Sequence, residues 1–334
     1  VLVFDRPLSS SPALCALVFA VAATGCIIPG DRPTVTPIRQ VRLGPELDSP
    51  SAERAGCYVV VLPGFGETPE SLIGHQIPAR IAEEVDADVT LVDAHVGYYY
   101  KQSVVERLHE DVIEPAREAG YDKIWIVAIS LGSLGALGYG TAHADDLEGI
   151  VVIAPWLGDW GYGPYYLRDE IEDAGGYRAW HEAVSDELVV NGSAELGPMD
   201  DDAFFRQVMA WAVAGERPDG TSVPIYVGYP SHDRYVRSQR LLAEAQPERH
   251  RLMAIGEHQF EVFYDLLRGF LWQGFMQRSC GRADAGASGA RSSGTIPSWS
   301  ENESRTSTRT SLRRSFRAGS RPPRPATRSS SPRF

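Results

Sequence analysis

Between residues 58 and 276, short apolar runs alternate with longer amphipathic ones. YVVVLP (58–63) is β-branched and bounded by Gly and Pro, the pattern of a strand buried on both faces. The pattern returns in DVTLVDA (88–94), KIWIVAI (123–129), GIVVIAP (149–155), VPIYVGY (223–229) and RLMAIG (251–256). Helical periodicity fills 69–85, 103–119, 131–143 and 259–276. Pro78 is expected to kink or interrupt the first of these helices, because it lacks the N–H that the interior needs. Ser103 with Glu106 three residues on reads as a capping box opening the second. Apolar strands, each followed by a helix, predict an α/β fold: a mostly parallel, doubly wound sheet of six to eight strands with helices on both faces. TVTPIRQVRL (34–43), within a linker or first-strand region at 27–55, offers one further strand.

The alternation fails once, from 156 to 221. Helix-like pieces such as DDDAFFRQVMAWAVAG (200–215) stand there without a strand signal, and the stretch reads as a helical lid over the carboxyl edge of the sheet. It holds Trp156, Trp160, Tyr162, Tyr165, Tyr166, Tyr177, Trp180, Phe204, Phe205 and Trp211. These aromatics, with Tyr98 to Tyr100 after a neighbouring strand, either line an apolar pocket or form the insertion's own core.

Composition changes the picture mainly at the ends. The 334 residues are 43% hydrophobic and 23% charged, enough for a large core. The net charge of -12 argues against a nucleic-acid partner or an anionic membrane surface. From Ser279 to Phe334, eleven Arg face only Asp284, Glu301 and Glu303 in a Ser/Pro/Gly/Thr-rich background. That tail (279–334) reads as disordered, because it has too little apolar surface to offset the entropy of ordering. It is either a basic arm or out-of-frame coding sequence. At the other end, ALCALVFAVAATGCII (13–28) is an apolar run of signal-peptide length that closes on Ala-Thr-Gly-Cys. It resembles a bacterial lipoprotein signal (1–26), which implies a lipid on Cys26 and export to the periplasm or outer membrane. Ala23 stands where Leu is usual, and Asp5 cancels Arg6 in the leading segment. An ordinary cleaved export signal, a misassigned start and a buried N-terminal helix are the other readings. In an exported protein Cys57 and Cys280 could pair, but the simpler reading is two unpaired thiols, and no Cys/His spacing suggests a zinc site.

The chemistry is sought where a strand hands over to a helix at the carboxyl edge. KIWIVAISLGSLG (123–135) holds two serines there. Ser130 directly follows the strand, with Ala128 two residues before and Gly132 two residues after. A sharp strand-to-helix turn needs small residues at both places. Ser133 has Leu131 at the first of them and lies a turn inside the helix, so Ser130 is the candidate nucleophile.

Ala-Ile-Ser-Leu-Gly resembles the nucleophile elbow of the α/β-hydrolase fold, with Ala128 in place of the first Gly. Three further segments follow the family's pattern. LPGFGE, after the first apolar strand, matches the loop that supplies one oxyanion N–H, with Pro63 where a His is usual. By position the resemblance assigns the two donors to Phe65 and Leu131. GYPSHDRYV places Asp233 where the family's acid lies, with Asp159 as the alternative and His232 read as a loop residue. AIGEHQF places His258 in the strand–loop–helix setting of the general base.

For residues 56–278 the resemblance implies a serine esterase or lipase-like hydrolase that acts on a small-molecule ester through an acyl-enzyme, with no metal or organic cofactor. A thioesterase, acyltransferase or peptidase on the same triad, and a catalytically silent binding protein of this fold, are the alternatives.

Overall fold

The computed structural model of the protein describes residues 32–49, 53–157, 165–185 and 202–282. The expected signal segment with Cys26, and the tail from 283 onward, lie outside them. Seven strands form one sheet: β1 (Gln40–Leu43), β2 (Cys57–Leu62), β3 (Ala87–Val92), β4 (Ile124–Ile129), β5 (Gly149–Ile153), β6 (Ile225–Pro230) and β7 (Arg251–Ala254). Their order is β1-β3-β2-β4-β5-β6-β7. Only β1, drawn from the 34–43 segment, runs antiparallel to its neighbour; every other pair is parallel. The fold class is therefore the α/β sheet that the apolar runs predict.

The helices of the described residues are α1 (Pro69–Gly74), α2 (Ile77–Glu84), α3 (Val96–Tyr100), α4 (Val104–Leu108), α5 (Glu114–Glu118), α6 (Gly132–Ala142), α7 (Tyr165–Asp173), α8 (Tyr177–Val184), α9 (Asp202–Ala214), α10 (Val236–Ala245), α11 (Phe260–Trp272) and α12 (Phe275–Cys280). They cover both faces of the sheet. Side chains alternate along each strand, so Tyr58, Val60 and Leu62 of β2 join a core layer with α6, α9 and α10. Val59 and Val61 join the other layer, with α2, α11 and α12.

Three local expectations change. The 69–85 helix is two helices, broken at Gln76, whose φ of 59° is left-handed. Pro78 sits in the first turn of α2, where no N–H is needed, so it helps to start a helix instead of kinking one. The 103–119 helix is also divided, with a π-helical turn, His109–Ile113, between α4 and α5. Ser103 precedes α4 but makes no capping bond; its backbone (φ −104°, ψ 0°) is not the extended form that aims a cap side chain. The capping box of this region lies instead at Thr68 and Ser71, which open α1.

The described part of the insertion between β5 and β6 is largely helical. It packs along α6: a Cβ on Gly140 would lie 2.1 Å from the Trp211 ring, so glycine is what admits the indole. Tyr177, Trp180, Phe204, Phe205 and Trp211 are all buried in the same core layer, which makes them chiefly packing residues, although Tyr177 also borders a small cavity with Leu157, Leu167 and Met209. Tyr98 and Tyr99 are likewise buried, while Tyr100 is exposed. Trp160 and Tyr162 lie outside the described residues.

Cys57 and Cys280 form a disulfide, contrary to the reading of two free thiols. The bond joins the start of β2 to the end of α12 across 223 residues of sequence, a proximity that only the folded topology creates. The fold thus runs two residues beyond the expected boundary at 278, through Ser279 and Cys280.

Closing so long a loop restricts the unfolded chain strongly. Replacing Cys57 and Cys280 together by Ser should lower the unfolding free energy by about 3–5 kcal/mol. Urea denaturation of the oxidised wild type and the double variant measures this, and coincident midpoints would remove the cross-link from the list of stabilising contacts.

Candidate active site

The chain passes from β2 to β3 on one side, then returns to β4 on the other side of β2. Such a reversal opens a crevice at the carboxyl ends of the two strands that part there. Leu62 of β2 pairs with Ala128 of β4, so the loop after β2 and the turn after β4 emerge side by side at that crevice.

Ser130 stands at the tip of the turn with φ 49°, the left-handed region that costs a non-glycine residue roughly 1–3 kcal/mol. Three backbone bonds hold it there. The Ser130 N–H donates to Ile153 O at 2.9 Å, and the Ser130 carbonyl accepts from Ser133 N and Trp156 N, each at 3.0 Å. Gly132 is needed because a Cβ there would lie 2.8 Å from both the Leu62 and the Pro63 carbonyl oxygens. This is the close approach of helix to strand that the small neighbours of Ser130 suggest.

The Ser130 hydroxyl lies 3.0 Å from His258 Nε2, and His258 Nδ1 lies 2.6 Å from Asp233 Oδ2. A carboxylate only accepts, so Nδ1 carries the proton and Nε2 is free to accept from the serine. His258 occupies the loop between β7 and α11, and Asp233 the loop between β6 and α10. Two backbone bonds tie these loops together, Ser231 N to Ala254 O and His232 N to Gly256 O, each 2.8 Å. The imidazole is walled by the Tyr235 and Phe263 rings, both edge-on to it.

Asp233 is 3% exposed. Besides His258 it accepts from Tyr235 N at 2.9 Å and from Gln239 Nε2 at 3.0 Å. Burial pushes its pKa up, but the hydrogen bonds from His258, Tyr235 N–H and Gln239 outweigh burial and hold the carboxyl below its usual range. Gln239 also donates to the Pro155 carbonyl at 3.2 Å, fastening the acid to the loop after β5. Sequence reading did not single out Gln239. Its signal was a polar residue on the helix face that also carries Leu242 and Ala243, all three buried.

The other expected site residues fall as follows. The N–H groups of Phe65 and Leu131 meet no hydrogen-bond partner among the described residues. Their two loops are in contact, since a Cβ on Gly64 would lie 3.4 Å from the Ser130 Cβ. Ser133 is fully buried and its hydroxyl has no hydrogen-bond partner among the described residues. Among the described residues the His232 ring reaches the Ser231 hydroxyl, and it stands outside the hydrogen-bonded line of Ser130, His258 and Asp233. Asp159 lies outside the described residues.

No family model matches the chain, and no curated protein matches it by sequence. Among solved structures it is similar to a monoacylglycerol lipase of Paleococcus ferrophilus, at 14% identity over 71% of this chain and 99% of that one, with a TM-score of 0.42. It is also similar to S-formylglutathione hydrolase (FrmB) of Staphylococcus aureus, at 12% identity over 72% of this chain and 99% of that one, TM-score 0.43. The bottromycin epimerase BotH is similar at 12% identity over 72% of this chain and 94% of that one, TM-score 0.39. Likeness this distant decides no activity, and the chemistry rests on the site itself.

Because the folded pKa of Asp233 is depressed, the folded state binds fewer protons than the unfolded one in acid. Its stabilising contribution is complete above the unfolded value of about 3.9 and is lost as pH falls through the lower folded value. Asp233→Asn abolishes that titration. Its urea midpoint should therefore decline less steeply than that of the wild type between about pH 5 and pH 2. Parallel profiles for the two proteins would contradict a preferentially ionised Asp233.

Proposed function

We propose that the protein is a serine hydrolase that cleaves a carboxylic ester of a small molecule through an acyl-enzyme intermediate. One observation carries the reading: an unbroken hydrogen-bonded line of hydroxyl, imidazole and buried carboxylate, with the hydroxyl on a left-handed turn at the crevice between β2 and β4. The Ser130 Oγ attacks the ester carbonyl while His258 Nε2 takes its proton. Asp233 stabilises the imidazolium and keeps the ring in the required tautomer. The carbonyl oxygen becomes an anion, and the Phe65 and Leu131 N–H groups are the donors proposed to hold it. One such donor is worth about 2.7–4 kcal/mol in comparable sites. Collapse of the tetrahedral adduct breaks the C–O bond, and His258 returns its proton to the departing alcohol. Water then repeats the sequence on the acyl-serine, releasing the acid and restoring Ser130.

We further propose that the protein is exported, as the apolar N-terminal run suggests, with a lipid on Cys26. The disulfide supports an oxidising compartment, since such bonds persist outside the reducing cytosol. Mass spectrometry of the mature N-terminus from a bacterial membrane fraction should find a diacylglyceryl Cys26; an unmodified start elsewhere would discard the anchor and leave the chemistry untouched.

A fluorophosphonate probe should label the wild type and Ser133→Ala but not Ser130→Ala. Against a panel of acyl esters, Ser130→Ala and His258→Ala should each lose at least about 10³-fold in kcat. Product analysis with added alcohols or amines separates hydrolysis from acyl transfer. A folded, monodisperse wild type that takes no label and turns over no ester would make the protein a binding module.

A further inference from the structure

A second cluster of chemically competent side chains lies at the far end of α6. His143 terminates that helix, Asp146 follows it in the short turn that leads into β5, and His109 opens the π-helical turn between α4 and α5. One ligand-capable atom from each of the three lies within 4.8 Å of the others. The two imidazoles stack face to face, 4.1 Å between centroids and 5° between planes, and His109 Nδ1 is 3.6 Å from Asp146 Oδ2.

We infer that His109, His143 and Asp146 form a binding site for a zinc ion, separate from the triad and structural in role. Two neutral imidazole nitrogens and one carboxylate oxygen are a borderline donor set. They suit zinc and its transition-metal neighbours, whereas calcium and magnesium take oxygen ligands. A tetrahedral zinc with bonds of about 2.0–2.2 Å places its ligand atoms about 3.3–3.5 Å apart, so the His109–Asp146 pair stands close to the required spacing already. Three protein ligands leave a fourth position for water.

The surroundings orient the ligands. The Tyr139 hydroxyl donates to Asp146 Oδ2 at 2.7 Å, and Arg117 Nε lies 3.4 Å from Oδ1. Together they fix the carboxylate plane, as outer hydrogen bonds do at metal sites. Tyr139 also lies 3.1 Å from His109 Nδ1; the ion would displace this contact and turn the two imidazoles out of their parallel stack, because each ring binds a metal in its own plane. The π-helical turn, a wide turn that recurs at functional positions, is what brings His109 out to the cluster. His109 is one-third exposed, which leaves a path from solvent.

The location decides the role. Eleven residues of α6 separate Gly132 from His143, about 16 Å of helix, so the ion would sit at the amino edge of the sheet, opposite the crevice that holds Ser130. There it would clasp three segments that only the folded chain brings together, and its binding energy would add to folding stability.

The test uses the full-length protein, stripped with chelator and titrated with Zn²⁺ against a chromophoric competitor. Co²⁺ serves as a second probe through the visible absorption of a four-coordinate ion. One equivalent is expected to bind, with a rise in melting temperature that grows with zinc concentration. His109→Gln, His143→Gln and Asp146→Asn should each weaken binding at least about 10-fold and abolish the thermal shift. Far-UV circular dichroism and fluorophosphonate labelling of Ser130 should be unchanged in all three. Asp145→Asn and Ser130→Ala should bind as the wild type does. Binding that persists at full stoichiometry in the three ligand variants, or weakens instead in His258→Gln, would overturn the assignment, as would no saturable binding to the wild type.

Discussion

The close approach of α6 to β2 is the constraint on which the rest of the molecule depends. At Gly132 the helix passes so near the Leu62 and Pro63 carbonyls that a single methyl group would collide with both. That approach forces the chain to reverse within one residue, and the residue that absorbs the reversal is Ser130, with its left-handed backbone. A strained residue stays in place only when its neighbours over-determine it. Here β5 supplies an acceptor from Ile153, and the segment after β5 supplies a donor from Trp156. The proposed nucleophile is therefore positioned by contacts from neighbouring strands as well as by the first turn of its own helix, where Ser133 N–H donates to its carbonyl.

Asp233 and His258, the proposed acid and base, depend on a second coupling, between loops. Each sits past the end of a strand near one side of the sheet, where loops are usually variable and mobile. The bonds from Ser231 and His232 to the loop after β7 continue the β6–β7 pairing past the strands, so the two loops move as one. Gln239 then ties the acid to the loop after β5 through Pro155. A carboxylate as buried as Asp233 would be costly to keep ionised without this shell. Its donors from His258, Tyr235 and Gln239 replace the lost water and leave it charged, which is the state that stabilises an imidazolium.

Much of this was legible in the sequence because the information is local. Six apolar runs became strands within a few residues of their expected ends; for the five inner ones the reason is that a parallel strand buried on both faces has few other fates, while edge strand β7 is only partly buried. The choice of Ser130 over Ser133 followed from the side-chain volume two residues away on each side. What was illegible is what tertiary contact decides. The pairing of Cys57 with Cys280 depends on where α12 lands. The capping expected at Ser103 was defeated by backbone angles that sequence does not reveal, while Thr68 and Ser71 supplied a reciprocal pair without the acidic partner that marks most such boxes. The insertion's aromatics had two possible fates, and the glycines of α6 decided between them by admitting Trp211 to the core.

The helix α6 also explains why chemistry-bearing residues collect at both of its ends. Ten of its eleven residues are buried, so it has no solvent face and cannot be amphipathic. Glycine inside a helix costs about 1 kcal/mol relative to alanine. Gly135 and Gly140 accept that cost because larger groups would meet the Tyr99 hydroxyl and the Trp211 ring. Pressed on every side, the helix behaves as a rigid strut from the carboxyl edge to the amino edge of the sheet. One end fixes the turn at Ser130; the other delivers His143 and Asp146 to the π-helical turn that bears His109. The same stiffness would serve the proposed nucleophile at one terminus and the proposed ligand set at the other, since both need side chains held to a fraction of an ångström by packing that is not their own.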